Sequence, residues 1–191
     1  MSDIYTAKNF GYLLGLSGLS DTLLANHFTL YEGYVKNTNA LINLLAEKEI
    51  GTPEYAELKR RFGWEWNGMR LHELYFENLS KESSHVEEGV LKESIEKTYG
   101  SVEEWKKAFT GIASMRGIGW VVLYQDPANG TLFSTCINEH DLGHLAGCTP
   151  LLVMDVFEHA YMTDYGIKKA DYIETFFRSI DWKKVAERFG N

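Results

Sequence analysis

The sequence has few of the residues that mark several protein classes. It contains only two cysteines, Cys136 and Cys148, and three prolines. Two cysteines are too few for a disulfide framework, so we expect both to be buried free thiols in a reducing cytoplasm. No segment approaches the roughly 20 consecutive apolar residues that a membrane helix needs. The first residues also lack the pattern of a signal peptide. These absences predict a cytoplasmic protein without a membrane span.

Positive charge is also scarce. The 191 residues include 27 acidic and 19 basic side chains, for a formal net charge of -8, and no Lys/Arg block is present. A nucleic-acid phosphate backbone needs a basic face, so we predict no nucleic-acid partner. Apolar residues make up 45% of the chain and aromatic residues 14%. That composition is typical of an ordered globular protein.

The first half of the sequence has the pattern of two long helices. Helix-start signals at residues 20–21 and 52–53 each precede apolar residues at helical spacing. His27 and Tyr34 fall on the apolar face of the first predicted helix, and His72 falls on that of the second. A lone histidine on such a face is usually a core residue. An antiparallel pair of helices, however, would bring these two histidines together.

The second half mixes helices with short strands. A polar stretch at 80–92 separates the halves, so we predict domains at residues 1–88 and 89–191. The predicted fold class is α+β: a long antiparallel helical hairpin, then a small antiparallel sheet with flanking helices. The predicted elements of the second half are helices at 92–99 and 102–113, strands at 119–124, 131–137 and 151–154, and further helical turns from residue 161.

Candidate metal chemistry is concentrated after the third predicted strand. The apolar run 151–154 leads into Asp155, and His159 follows four residues later, in the first turn of a predicted helix. Burying a carboxylate and an imidazole at the end of a strand costs free energy unless a charged partner lies beside them. A metal ion is such a partner, so the pattern predicts a metal site that needs further ligands from elsewhere.

His140 and His144 form a second pair of histidines four residues apart. Their segment reads HDLGH, without the glutamate of the His-Glu-x-x-His zinc motif, and Gly143 disfavours a helix there. We therefore do not predict a zinc site.

Several motifs resemble segments of the iron/manganese superoxide dismutase family, in the same order and over nearly the whole chain. DVFEHAY at 155–161 is similar to the family signature Asp-Val-Trp-Glu-His-Ala-Tyr, with Phe157 as the one aromatic change. Similar family segments are YVKNTN at 34–39, HELYFENL at 72–79, and YGSVEEWKKAFTGIASMRGIGWVVL at 99–123. The resemblance implies this family's fold and a superoxide dismutase activity.

The resemblance further implies one Fe or Mn ion held by His27, His72, Asp155 and His159, with a bound water or hydroxide. Imidazole and carboxylate suit these ions. The implied reaction is a ping-pong dismutation in which one superoxide gives dioxygen and the next, with two protons, gives hydrogen peroxide. We favour iron, with manganese or the use of either metal as alternatives.

Other site residues follow from the same resemblance. Tyr34 is expected to be the gateway residue, with Tyr31 as the alternative. The family places a glutamine beside the bound solvent from one of two positions. Here Gly68 occupies the first position and His140 the second, so His140 is expected to tune the solvent. Trp120 is expected to form an aromatic wall.

Three more expectations concern the surroundings of the site. Phe157 would form a second aromatic wall. Glu158 resembles the residue that reaches a partner's ligand histidine, which implies a homodimer or homotetramer. Lys169 resembles a basic residue of the substrate funnel, although a solvated helix start is also consistent with it. A locally positive entrance would attract superoxide to an acidic protein.

Two other functions remain open at this point. A mononuclear non-haem iron oxygenase shares His/carboxylate ligation but needs open coordination positions and a sizeable substrate cavity. A non-catalytic interaction module on the same fold would be expected to lack ligands.

Overall fold

Two long helices open the fold. The structure, a computed structural model, describes residues 4–82 and 85–189. Helix α1 (Asp21–Glu47) and helix α2 (Pro53–Glu77) are joined by a short loop and pack along each other. Ser20 Oγ accepts a hydrogen bond from Leu23 N (3.1 Å), and Thr52 Oγ1 accepts one from Tyr55 N (3.3 Å). These caps confirm the two predicted helix starts, because each satisfies a backbone donor that has no partner within the helix.

The second half contains a three-stranded antiparallel sheet with helices around it, which confirms the α+β fold class. The strand order is β2-β1-β3. Trp120 on the central strand pairs with Asp155, the last residue of the third strand. The elements are α3 (Val90–Tyr99), α4 (Val102–Ala113), β1 (Gly119–Gln125), β2 (Leu132–Asn138), β3 (Thr149–Asp155), α5 (Met162–Tyr165), α6 (Lys169–Arg178) and α7 (Trp182–Arg188).

Two local predictions were wrong. His159 lies in a short 3-10 helix, Glu158–Ala160, and not in the first turn of an α-helix; the chain turns just before it, where Phe157 N donates to Asp155 Oδ1 (2.8 Å). The cysteines are free, as expected, but they are not buried. Cys136 is exposed and Cys148 is half-buried. Cys136 lies on the edge strand β2, where it alternates with the buried Ile137 and therefore faces outward.

The two halves share a polar interface beneath the sheet. Asn78, just after α2, donates its side-chain amide to Val153 O (2.6 Å), and its backbone carbonyl accepts from Asp181 N (2.6 Å). Arg188 donates to Asn78 Oδ1 (2.6 Å), Leu151 O (2.9 Å) and Glu77 Oε2 (3.0 Å). One guanidinium therefore connects α7 with α2 and β3.

Ser83 and Ser84 of the predicted boundary stretch lie outside the described residues. Among the residues described, no helix has the length and apolarity to cross a membrane.

Replacing Arg188 by Met should lower the free energy of unfolding by about 2–4 kcal/mol, because Glu77 and two carbonyl oxygens lose a largely buried donor. The matched control is Arg60→Met. The Arg60 side chain is 71% exposed and pairs with Glu57 along its own helix. That control should leave the free energy of unfolding nearly unchanged, because an exposed ion pair contributes little. Urea denaturation measures both, and equal losses would contradict the role of Arg188.

Candidate metal centre

Four side chains from distant parts of the chain meet between the hairpin and the sheet. His27 comes from α1, His72 from α2, Asp155 from the end of β3 and His159 from the turn after it. One donor atom from each lies within 4.8 Å of the other three. The Nε2 atoms of the histidines are 3.2, 3.7 and 3.1 Å from Asp155 Oδ2, in that order. His27, His72 and Asp155 are buried, and the His159 side chain is 29% exposed.

The charges of this cluster favour a cation. Burial alone would raise the pKa of Asp155, but the imidazoles of His159 and His27 outweigh that effect and hold its pKa below the usual range. Burial lowers the pKa of His27 despite its contact with Asp155, and it lowers the pKa of His72 strongly. The cluster therefore combines an ionised carboxylate with neutral imidazoles at His27 and His72, which is the protonation state that metal ligands require.

The hydrogen bonds of His72 also fit a metal ion. Its Nδ1–H donates to Gly68 O (2.5 Å), so in the neutral ring Nε2 carries the lone pair. That Nε2 atom is buried and has no hydrogen-bond partner among the described residues, although it faces Asp155 Oδ2. A buried polar atom without a partner is rare and costly, and a cation at the centre of the cluster would satisfy it. His27 Nδ1 is also buried without a partner in the part of the chain that the structure describes.

A chain of hydrogen bonds leads away from the four donors. Trp120 Nε1–H donates to Nδ1 of His140 (3.0 Å), and His140 Nε2 is 2.7 Å from the hydroxyl of Tyr34. Burial lowers the pKa of His140 to about 4, so the ring is neutral. Because Nδ1 accepts, Nε2 carries the hydrogen and donates it to Tyr34. The hydroxyl hydrogen of Tyr34 is thus left free to donate elsewhere.

Tyr34, and not Tyr31, is the tyrosine beside His140. The Tyr34 ring stacks on His72 with centroids 5.1 Å apart. Burial, with smaller effects of Glu65 and Asp155, raises the pKa of Tyr34 to about 12. The hydroxyl of Tyr31 instead donates to Glu73 Oε1 (3.0 Å) and accepts from Lys8 N (3.0 Å).

Gly68 is explained by the position of Tyr34. A Cβ atom built on Gly68 would lie 2.5 Å from Tyr34 Cδ1, well inside contact distance. A side chain at residue 68 would therefore clash with the Tyr34 ring. His140, from the second half of the chain, packs edge-on against that ring.

Aromatic rings enclose the cluster. Trp120 packs edge-on against His72 (4.9 Å between centroids), and Phe157 stacks on both His140 (4.8 Å) and His159 (5.1 Å). These rings separate the donor atoms from bulk solvent on several sides.

Three nearby aromatic residues were not predicted from the sequence. Trp64 packs edge-on against His140 (4.8 Å), and Tyr75 lies 5.3 Å from the ring of His27. Tyr172 donates its hydroxyl to Asp155 O (2.7 Å) and contacts the Tyr75 hydroxyl (3.1 Å). Trp64 precedes His72 by eight residues, about two helical turns, so helical spacing would have placed it on the same face.

Glu158 and Lys169 are the two charged residues that were expected near the site. Glu158 is exposed and directly precedes His159. Lys169 is half-buried at the start of α6, where its Nζ donates to Met115 O (3.2 Å). Burial lowers the pKa of Lys169, while the negative charge of Asp155 opposes that shift.

The pair His140 and His144 is not arranged as a zinc site. His140 uses both ring nitrogens, toward Trp120 and Tyr34. His144 also uses both, with Nδ1 2.9 Å from the Tyr124 hydroxyl and Nε2 2.9 Å from His140 O. Neither ring presents a free lone pair to a metal, which agrees with the interpretation of the HDLGH segment.

Comparison with known proteins agrees with the geometry. Residues 87–188 match the family described as iron/manganese superoxide dismutases, C-terminal domain. A relative from Cupriavidus metallidurans, named superoxide dismutase [Fe], is 41% identical over 91% of this chain and 90% of its own length. A relative from Haloferax volcanii, named superoxide dismutase [Mn] 2, is 36% identical over 86% of this chain and 83% of its own length. One from Aquifex pyrophilus, named superoxide dismutase [Fe], is 34% identical over 91% and 85%. The chain belongs to the iron/manganese superoxide dismutase family.

Proposed function

We propose that the chain is a superoxide dismutase that holds one Fe or Mn ion with His27, His72, Asp155 and His159. The observation that carries this proposal is the convergence of four donor atoms within 4.8 Å in a largely buried cluster. When bound, the ion supplies one-electron redox chemistry between two superoxide molecules. In the overall reaction two superoxide ions and two protons give one dioxygen and one hydrogen peroxide.

Tyr34 and His140 are the proposed proton-handling residues. A phenol with a pKa of about 12 stays protonated at neutral pH, so it can donate a hydrogen bond toward the cluster. The Nε2–H of His140 donates a hydrogen bond to the Tyr34 oxygen, so the phenolic hydrogen of Tyr34 is available to a different acceptor. Trp120 fixes this tautomer by donating to His140 Nδ1. The two side chains thus form an oriented donor pair.

The aromatic wall is proposed to exclude water and large organic molecules. Tyr34, Trp120 and Phe157 pack directly on the histidine rings of the site. Small diatomic substrates need little space, whereas an oxygenase must also admit an organic cosubstrate. The packing therefore supports dismutation over the oxygenase alternative. The presence of all four donors supports catalysis over a non-catalytic module.

Iron is the proposed metal, with manganese as the alternative. The relative with 41% identity is named for iron and the one with 36% identity is named for manganese. The donor set itself suits either ion.

A homodimer or homotetramer is proposed, with Glu158 reaching the partner's site. Glu158 is exposed beside His159, whose side chain is 29% exposed in the single chain, so that side of the cluster can meet a second subunit.

We also propose a domain division after residue 88, which agrees with a family match that begins at residue 87. Two free thiols support a reducing, cytoplasmic setting.

Loading with metal tests the function. The chain reconstituted with Fe or Mn separately should retain about one ion, unfold at a higher temperature than the metal-free chain, and dismutate superoxide. Asp155→Asn should weaken metal retention by about 100-fold or more, since it removes a donor and its charge. Asp171→Asn, at an exposed aspartate on α6, is the control. Elemental analysis, thermal unfolding and a superoxide assay give the readouts.

Three outcomes of that experiment would count against the proposal. A protein that stays metal-free and inactive after reconstitution would favour the interaction module. Consumption of an organic cosubstrate would favour the oxygenase. Activity with manganese alone would reject iron as the working metal.

Tyr34→Phe should lower turnover by about 10-fold or more, because it removes the proposed donor while keeping the ring on His72. Tyr31→Phe removes a hydroxyl of the same kind that bonds to Glu73 and Lys8, away from His140. It should keep turnover and cost about 1 kcal/mol of stability. Steady-state kinetics at saturating superoxide compare the two. A larger loss in Tyr31→Phe would reverse their roles.

Lys169→Glu should slow the reaction at low salt and weaken its dependence on ionic strength, because a positive side chain near the site attracts an anionic substrate. Lys97→Glu, an exposed lysine on α3, makes the same change in net charge and is the control. Rates measured from low to high ionic strength separate them. If both variants match the unmodified chain at every salt concentration, Lys169 has no steering role.

A further inference from the structure

A second histidine lies behind His140. His144 follows it by four residues in the loop between β2 and β3, and it is half-buried. Its Nε2 atom is 2.9 Å from His140 O, and its Nδ1 atom is 2.9 Å from the hydroxyl of Tyr124. A carbonyl oxygen can only accept, so Nε2 carries the hydrogen and donates it to His140 O, and Nδ1 accepts from the Tyr124 hydroxyl. His144 therefore links a strand side chain to the backbone of His140.

The loop that carries His140 is tightly turned. Asn138 and Leu142 pair through Asn138 N to Leu142 O (2.8 Å) and Leu142 N to Asn138 O (3.3 Å), with three residues between them. Glu139, directly before His140, has a positive φ of 54°. This conformation is strained for a non-glycine residue, and it persists only where neighbouring contacts hold it. The bond from His144 is one such contact, made at His140 itself.

Two residues of the central strand β1 hold His140 in place, one directly and one through His144. Trp120 and Tyr124 are four residues apart on β1, so their side chains lie on the same face of the sheet. Trp120 holds the ring of His140 through Nδ1, and Tyr124 holds its backbone through His144. Tyr124 is buried. One rigid strand thus fixes both the ring and the main chain of the residue that meets Tyr34.

We infer that His144, braced by Tyr124, is a positioning residue that keeps His140 directed at the hydroxyl of Tyr34. It acts through His140 and holds no metal, since both of its ring nitrogens are engaged. The inference rests on the proposed function only for its effect on turnover. The orientation of His140 can be measured without any metal.

The test uses nitrogen-15 histidine spectra of the full metal-free chain, which report the tautomer of each ring. In the unmodified chain, His140 should be a single Nε2–H form with a slowly exchanging proton. His144→Leu should mix the two tautomers and speed that exchange, and His144→Gln, which keeps a donor, should restore the single form. Tyr124→Phe, which keeps the buried ring, should show the same change as His144→Leu more weakly. His85→Leu, at an exposed histidine, is the control.

Turnover of the metal-loaded variants is the second readout. His144→Leu should lose up to about 10-fold in turnover, the lower end of what contacts beyond the ligands contribute, and His144→Gln should recover most of it. An unchanged His140 signal in both His144→Leu and Tyr124→Phe would overturn the inference, whatever the activity. If His144→Leu does not fold, Tyr124→Phe decides alone. An unmodified chain that is inactive with either metal would refute the proposed function. The spectra would still show whether His144 and Tyr124 position His140.

Discussion

The buried carboxylate of Asp155 is the constraint on which the rest of the structure depends. It is fully buried at the end of β3 and remains ionised because the imidazoles of His159 and His27 lie beside it. An ionised group away from water is tolerated only with partners of opposite charge or a complete set of hydrogen-bond donors. The main chain supplies part of that set, since Phe157 N donates to Oδ1. On the other side, His72 is neutral and donates Nδ1–H to Gly68 O, which leaves a lone pair on Nε2 facing the carboxylate. This arrangement could hold a metal ion.

The central strand β1 organises the residues around that carboxylate. Its pairing with β3 places Trp120 directly beside Asp155, and the same Trp120 orients His140. Gly119 makes this packing possible, because a Cβ atom there would lie 2.0 Å from Ile137 O and its φ is 127°. Sites built on regular elements are more precise than sites on loops, because the backbone there is already fixed. His140 gains similar precision on a loop through its two attachments to this strand.

Neither half of the chain contains the whole site. The helical hairpin supplies His27, His72 and Tyr34, and the second half supplies the carboxylate, His159 and His140. The interface between the halves therefore affects the relative positions of these side chains as well as the stability of the fold. The hydrogen bonds of Asn78 and Arg188 are part of that interface, and Tyr172 on α6 extends it by donating to the backbone carbonyl of Asp155.

The sequence by itself determined the helix starts, the three strands and the family, because caps, periodicity and the DVFEHAY segment are local patterns. It also identified His27, His72, Asp155 and His159 as candidates for one site. Only the tertiary structure decided that Tyr34 and not Tyr31 meets His140, that Trp64 and Tyr172 join the surroundings, and that His144 contacts the backbone of His140. The periodicity of a helix or strand does not show which of its residues contact a distant element. These contacts depend on how elements far apart in the chain pack against each other, and local residue spacing does not encode that packing.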